Sequence, residues 1–118
     1  MERIAPEIVR QRLLIEGFYG IEVNEKTISD YFTKITNNLG LKVYAAPTIF
    51  SPGGKGREEN QGYDAFVPLI DSGISLYVWC NAKFFSIIIY TCKRFDEEKA
   101  ILTTKKFFKT TETTYQSF

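Results

Sequence analysis

The sequence contains no histidine. That absence excludes a Ser-His-Asp or Cys-His nucleophile assembled within one chain. It also excludes histidine-ligated zinc, non-haem iron and haem. Acid–base chemistry is left to Asp, Glu, Cys, Lys, Tyr or a group made after translation. Cysteine is scarce too. Cys80 and Cys92 form neither a Cys-x-x-Cys pair nor a four-ligand set, so metal and redox-motif readings fail and no metal is expected. Neither sign of charge dominates: 15 Lys+Arg stand interspersed with 14 Asp+Glu, for a net charge of +1. Such a balance gives no electrostatic footprint for DNA or RNA. No apolar run approaches the roughly 20 residues needed to span a bilayer. Residues 1–12 are charged and lack the apolar core of a signal peptide. A soluble, cytoplasmic protein with no nucleic-acid or membrane partner is the expectation.

What is present reads as one domain over residues 1–118, since about 100–200 residues per domain is usual. Residues 12–20 are apolar and end at glycine, as a strand does. Ile28, Tyr31, Phe32, Ile35 and Leu39 lie on one face of a 3.6-residue period; Asn24 or Thr27 caps this helix and Gly40 ends it. Residues 41–50 read as extended, with Pro47 at an edge or bend. Residues 51–62, rich in glycine and ionisable side chains, read as a long solvated loop. Three extended runs follow at 63–70, 74–80 and 84–91. Their short breaks, Asp71-Ser72-Gly73 and Asn81-Ala82-Lys83, imply antiparallel neighbours. Asp96 opens a second helix with Ala100, Ile101, Thr104, Phe107 and Phe108 inward, and residues 110–118 read as frayed or docked at an edge. The order β-α-β-β-β-β-α implies an α+β fold: a two-layer α/β sandwich, with an antiparallel sheet and two helices on one face. The opposite face keeps Phe, Tyr and Ile side chains and requires a partner such as a second copy.

Three segments invite a chemical reading. Gly53-Gly54-Lys55-Gly56 fails the phosphate-loop pattern, because no Gly-Lys-Ser/Thr follows at the right spacing. Residues 62–67 look like the aromatic strand of an RNA-recognition sheet, but carry an extra residue, have Gln61 before the glycine, and sit in the wrong element order. Asp71-Ser72-Gly73 reads as a hairpin turn, or as a self-cleaving bond. In the second reading the Ser72 hydroxyl attacks the preceding carbonyl to give an ester. Elimination and hydrolysis then convert Ser72 to a pyruvoyl group, which can condense with a substrate amine and act as an electron sink.

The segment Asp71-Ser72-Gly73-Ile74-Ser75-Leu76-Tyr77-Val78-Trp79, followed by Ile89-Tyr90-Thr91-Cys92, resembles the small prokaryotic S-adenosylmethionine decarboxylases. Their pattern reads Glu-Ser-His-Ile-Ser-Ile-His-Thr-Trp-Pro-Glu and then an apolar strand ending Thr-Cys-Gly. The spacing from Ser72 to Cys92 matches without a gap. Residues 13–20, closing Tyr19-Gly20, resemble the family's first strand. Ser51-Pro52 and Gly62 resemble the loop before the processing strand, and Phe95-Asp96 the start of its last helix. The likeness runs from about residue 12 to residue 108.

The resemblance implies that Asp71 and Ser72 flank the cleavage site, that Ser72 supplies a pyruvoyl cofactor, and that Cys92 donates a proton to the decarboxylated carbanion. It implies a two-layer sandwich used as a dimer or larger, acting on a small-molecule substrate in polyamine synthesis; a homodimer, or a dimer with a paralogue, is the expected assembly. It places substrate contacts at Trp79 and Asn81. The departures fall at the chemistry. The family's processing histidine is Tyr77, and a phenol is a poor base near neutrality. Its assisting serine is Asp64, its second histidine is Gly73, and Pro-Glu is replaced by Cys80-Asn81, so the acid that holds the ribose hydroxyls is missing. Two readings stay open. In one, a divergent pyruvoyl-dependent decarboxylase takes S-adenosylmethionine or another amino acid, with Asp64 or Tyr77 assisting cleavage. In the other, an uncut, non-catalytic homologue binds a small molecule or serves as a regulatory partner subunit.

Overall fold

A computed structural model describes residues 3–118. The elements are β1 (Gln11–Phe18), α1 (Glu25–Leu39), β2 (Thr48–Phe50), β3 (Gly62–Leu69), β4 (Ser72–Trp79), β5 (Phe84–Thr91), α2 (Glu97–Phe108) and β6 (Glu112–Ser117). The six strands form one antiparallel sheet in the order β2-β3-β4-β5-β1-β6. The chain thus has the α+β architecture expected of it, two helices on a single sheet. One correction extends the element order. Of the two alternatives for the last residues, docking at an edge holds, and it is regular: residues 112–117 form a sixth strand that covers the outer edge of β1. Its Thr residues suit a strand. The left-handed Lys109, with φ 48°, ends α2 and turns the chain back.

Both helices begin as their sequences dictate. The Asn24 side chain accepts from the Thr27 amide at 3.0 Å, and Thr27 Oγ1 accepts from the Asn24 amide, a reciprocal capping box. Gly40 closes α1 in the left-handed conformation. Asp96 accepts from the Lys99 amide to start α2. The extended stretch at 41–50 is shorter than expected. A bridge joins Val43 to Leu69, and regular pairing resumes only at Thr48 opposite Phe66. Pro47 lies in the gap, and it has no N–H to give the ladder.

The core lies between the sheet and the helices. Leu13, Ile15, Ile74, Leu76, Phe85, Ile87 and Ile89 meet Ile28, Tyr31, Ile35, Ala100 and Phe108, all fully buried. Phe85 stacks on Phe108 with ring centroids 4.6 Å apart. One polar link crosses this apolar layer. Tyr31 Oη lies 2.8 Å from Thr104 Oγ1, and Thr104 Oγ1 donates to the Ala100 carbonyl at 2.8 Å. With the threonine proton so committed, the tyrosine is the donor between them. The two partners therefore differ in value. Tyr31→Phe removes one buried bond and should cost about 1 kcal/mol, whereas Thr104→Val strands the tyrosine hydroxyl and should cost about 1–3 kcal/mol. Urea denaturation of the two variants checks the order, and equal midpoints would contradict it.

Candidate active site

Ser72 sits at the tip of the β3–β4 hairpin. The register pairs Leu69 with Ser72, so Ile70 and Asp71 form a two-residue loop. This moves the turn one residue earlier than the sequence indicated and makes Ser72 the first residue of a strand. Tight hairpin loops normally place positive φ on loop residues, usually Gly, Asn or Asp. Here neither Ile70 nor Asp71 has positive φ; the positive angle, 133°, falls on Ser72. A non-glycine residue in such a region costs about 1–3 kcal/mol and persists only where its surroundings enforce it.

Those surroundings come from β5. Thr91 is the cross-strand partner of Ser72. Its hydroxyl donates to the Lys93 carbonyl, which bends the chain just past the strand end. Cys92 occupies that bend. Its backbone N–H donates to the Asp71 carbonyl at 2.8 Å. Its Sγ lies 3.3 Å from Ser72 Oγ. One residue thus grips the carbonyl before Ser72 through its backbone and touches the Ser72 hydroxyl through its side chain. The peptide oxygen that gains charge when a hydroxyl attacks is already hydrogen-bonded, which is how preorganised donors lower such barriers.

The structure brings Asp64 and Tyr77 together but not with Ser72. They are direct cross-strand partners on the sheet face away from the helices. Both line a cleft of about 160 Å³ with Thr48, Phe50, Phe66 and Ser75. Five residues along β4 separate Tyr77 from Ser72, about 17 Å at strand rise. Trp79 and Asn81 lie at the far end of the same hairpin. Trp79 Nε1 donates to Asn60 Oδ1 at 3.3 Å, and Asn81 Nδ2 donates to the Glu58 carbonyl at 3.0 Å. Both therefore hold the 51–62 loop, which Gln61 also ties through the Gly54 amide and the Lys55 and Arg57 carbonyls. The shifted phenol ionisations lie away from Ser72. Burial, and then Cys80 nearby, pushes Tyr19 up to about 12, and burial raises Tyr31.

The sequence reading gave no role to Phe66. A Cβ built on Gly73 would come within 2.4 Å of the Phe66 ring. The aromatic ring occupies the room that a side chain after Ser72 would need. The only signal in the sequence was the pairing of strands 63–70 and 74–80, and it required the turn to be placed one residue more accurately.

The family model for S-adenosylmethionine decarboxylase matches residues 14–118. The chain belongs to the S-adenosylmethionine decarboxylase family. A similar solved structure is the adenosylmethionine decarboxylase of Aquifex aeolicus VF5. It is 16% identical, with a TM-score of 0.71 over 94% of this chain and 89% of that one, a likeness of fold. No curated protein matches the sequence. S-Adenosylmethionine decarboxylases depend on a pyruvoyl group, and the strained Ser72 with its gripped Asp71 carbonyl fits the formation of one. Among the described residues, no cluster of three or more Cys, Asp or Glu side chains could hold a metal ion. No helix there is long and apolar enough to cross a membrane.

Proposed function

We propose that this family member cleaves itself between Asp71 and Ser72 and decarboxylates S-adenosylmethionine or a related amino acid, in polyamine synthesis. The observation that carries the reading is the positive φ of Ser72 beside an Asp71 carbonyl already held by the Cys92 amide. Attack by Ser72 Oγ on the Asp71 carbonyl carbon breaks the peptide C–N bond. It leaves an ester and a free Ser72 amine. Loss of the Ser72 Cα proton expels the Asp71 carboxylate, and the resulting enamine tautomerises and hydrolyses, with loss of ammonia, to the pyruvoyl group. Once formed, that carbonyl supplies an electron sink for the α-carbon of an amine substrate. The Cys92 thiol, within 3.3 Å of the Ser72 side chain, holds the proton for the decarboxylated carbon.

Cleavage needs a base, and within one chain Asp64 and Tyr77 are too far from Ser72 to serve. A second copy supplies them. The face away from the helices exposes Phe18, Phe50, Phe66, Tyr77 and Tyr90, more apolar surface than a solvated sheet face needs. Two such faces packed about a two-fold axis across the strands run antiparallel. In this reading the homodimer brings each copy's Asp64–Tyr77 pair to the other's Ser72. The homodimer is thus part of the catalytic reading. The separation of Asp64 and Tyr77 from Ser72 in one chain also favours a second reading, an uncut partner subunit.

Intact-mass measurement of the purified protein tests the choice. Cleavage gives pieces of 71 and 47 residues, and an uncut 13.6 kDa chain after long incubation leaves the second reading. Cys92→Ala separates two roles of one residue. Cleavage should continue, because the backbone N–H still holds the Asp71 carbonyl. Decarboxylation should fall about a hundredfold for want of the proton donor. Unchanged turnover in the cut variant would remove Cys92 from the chemistry.

A further inference from the structure

A pocket of about 260 Å³ beside the hairpin end is lined by Arg3, Arg10, Arg12 and Arg94, with Pro6, Ile8 and Val9. No carboxylate is among the described residues that line it. The chain's net charge is only +1, so four arginines lining one small concavity are a local concentration rather than a general excess. The ion pairs found among the described residues, Lys26–Asp30 and Arg57–Glu59, involve none of them.

The pocket is also held in shape. Arg10 donates to the Ile4 and Ala5 carbonyls, which fastens the segment before β1 over the pocket. The Arg12 guanidinium lies over the Phe118 ring, 5.5 Å from its centroid. Its Nε is buried without a hydrogen-bond partner among the described residues. A buried, unpaired donor is costly, and mutual repulsion among four cations adds to that cost; one bound anion relieves both. Guanidinium forks match the paired oxygens of phosphate and carboxylate.

We propose that this pocket is a binding site for a small, doubly charged oxyanion, such as the phosphate or dicarboxylate portion of a small molecule. The site stands on the pocket alone and does not rest on cleavage at Ser72. Its position gives it a bearing on the site above. Arg12 pairs across the sheet with Tyr90, and Tyr90 with Gly73, so Arg12 stands two strand spacings, about 10 Å, from the residue after Ser72. Arg94 follows Cys92 by two residues. An anion held here lies at the rim of the hairpin end and sets the local potential there.

The test is calorimetric titration of the full chain with inorganic phosphate and with succinate, against sodium chloride at matched ionic strength. Saturable binding of at least one dianion is expected, together with a Tm rise of about 3–8 °C at ten times its Kd. Arg12→Gln with Arg94→Gln should weaken that binding at least tenfold. Lys34→Gln with Lys99→Gln removes the same charge from the outer side of the helices and should leave it unchanged. Far-UV circular dichroism confirms that both double variants fold. If the arginine variant fails to, Arg94→Gln alone replaces it, with a threefold or greater loss expected; if the lysine variant fails to, Lys34→Gln alone replaces it, with no loss expected. The proposal is overturned if neither dianion binds beyond the chloride control, or if the lysine variant loses as much affinity as the arginine variant.

Discussion

Ser72→Ala should leave the chain as one species of 13.6 kDa under every condition in which the unaltered protein separates into its two pieces. In the proposed cleavage the hydroxyl is the attacking atom, so its loss removes the reaction rather than slowing it. Ser72→Gly sharpens the point. It also lacks the hydroxyl and should not cleave, but it relieves the positive φ of 133°. The glycine variant should therefore be more stable than the alanine variant, which keeps the strained backbone, by about 1–3 kcal/mol. Mass spectrometry reads the cleavage and urea denaturation reads the stability. Equal midpoints for the two variants would show that the hairpin relaxes easily around residue 72. The strain held there would then be no part of the reaction. A cleaved alanine variant would refute self-processing at Ser72 outright.

Much of this site was legible in the sequence, and the reason is local. Ser72 opens β4 and Cys92 directly follows β5, two strands whose alternation and short connections fix their pairing, so a spacing of twenty residues translates into a contact of 3.3 Å. The capping of α1 by Asn24 and Gly40 was legible for the same reason: a cap is decided within four residues of itself. Strand β6 was not legible. Thr-rich, polar residues carry little periodic signal, and what orders them is an open edge on β1, supplied by a segment almost a hundred residues earlier. The roles of Trp79 and Asn81 depend in the same way on the 51–62 loop folding back. The arginine pocket gathers Arg3, Arg10 and Arg12 from the chain start and Arg94 from beyond β5, and sequence spacing does not bring those together.

Gly62→Ala should be among the most damaging single changes in the chain, although it adds one methyl group. A Cβ on Gly62 would stand 1.7 Å from the Val78 carbonyl oxygen and 2.7 Å from its carbon. Both are backbone atoms of the paired strand β4, which no rotamer change can move aside. β3 and β4 would have to part at the end where the Cys80 amide donates to the Gln61 carbonyl at 2.9 Å and where Trp79 and Asn81 hold the loop. The expected loss is about 3–5 kcal/mol, a large fraction of a domain's usual 5–15 kcal/mol. Gly40→Ala is the instructive comparison. Gly40 has φ 67°, yet nothing lies within 4 Å of a Cβ built there. Its cost is conformational only, about 1 kcal/mol. Gly62 is not among the residues with positive φ, so its cost is one of space only. Urea midpoints for the two variants should therefore differ severalfold in their displacement from the parent. If Gly40→Ala proves the worse, the close passage of β3 over Val78 is not the constraint that reserves position 62 for glycine.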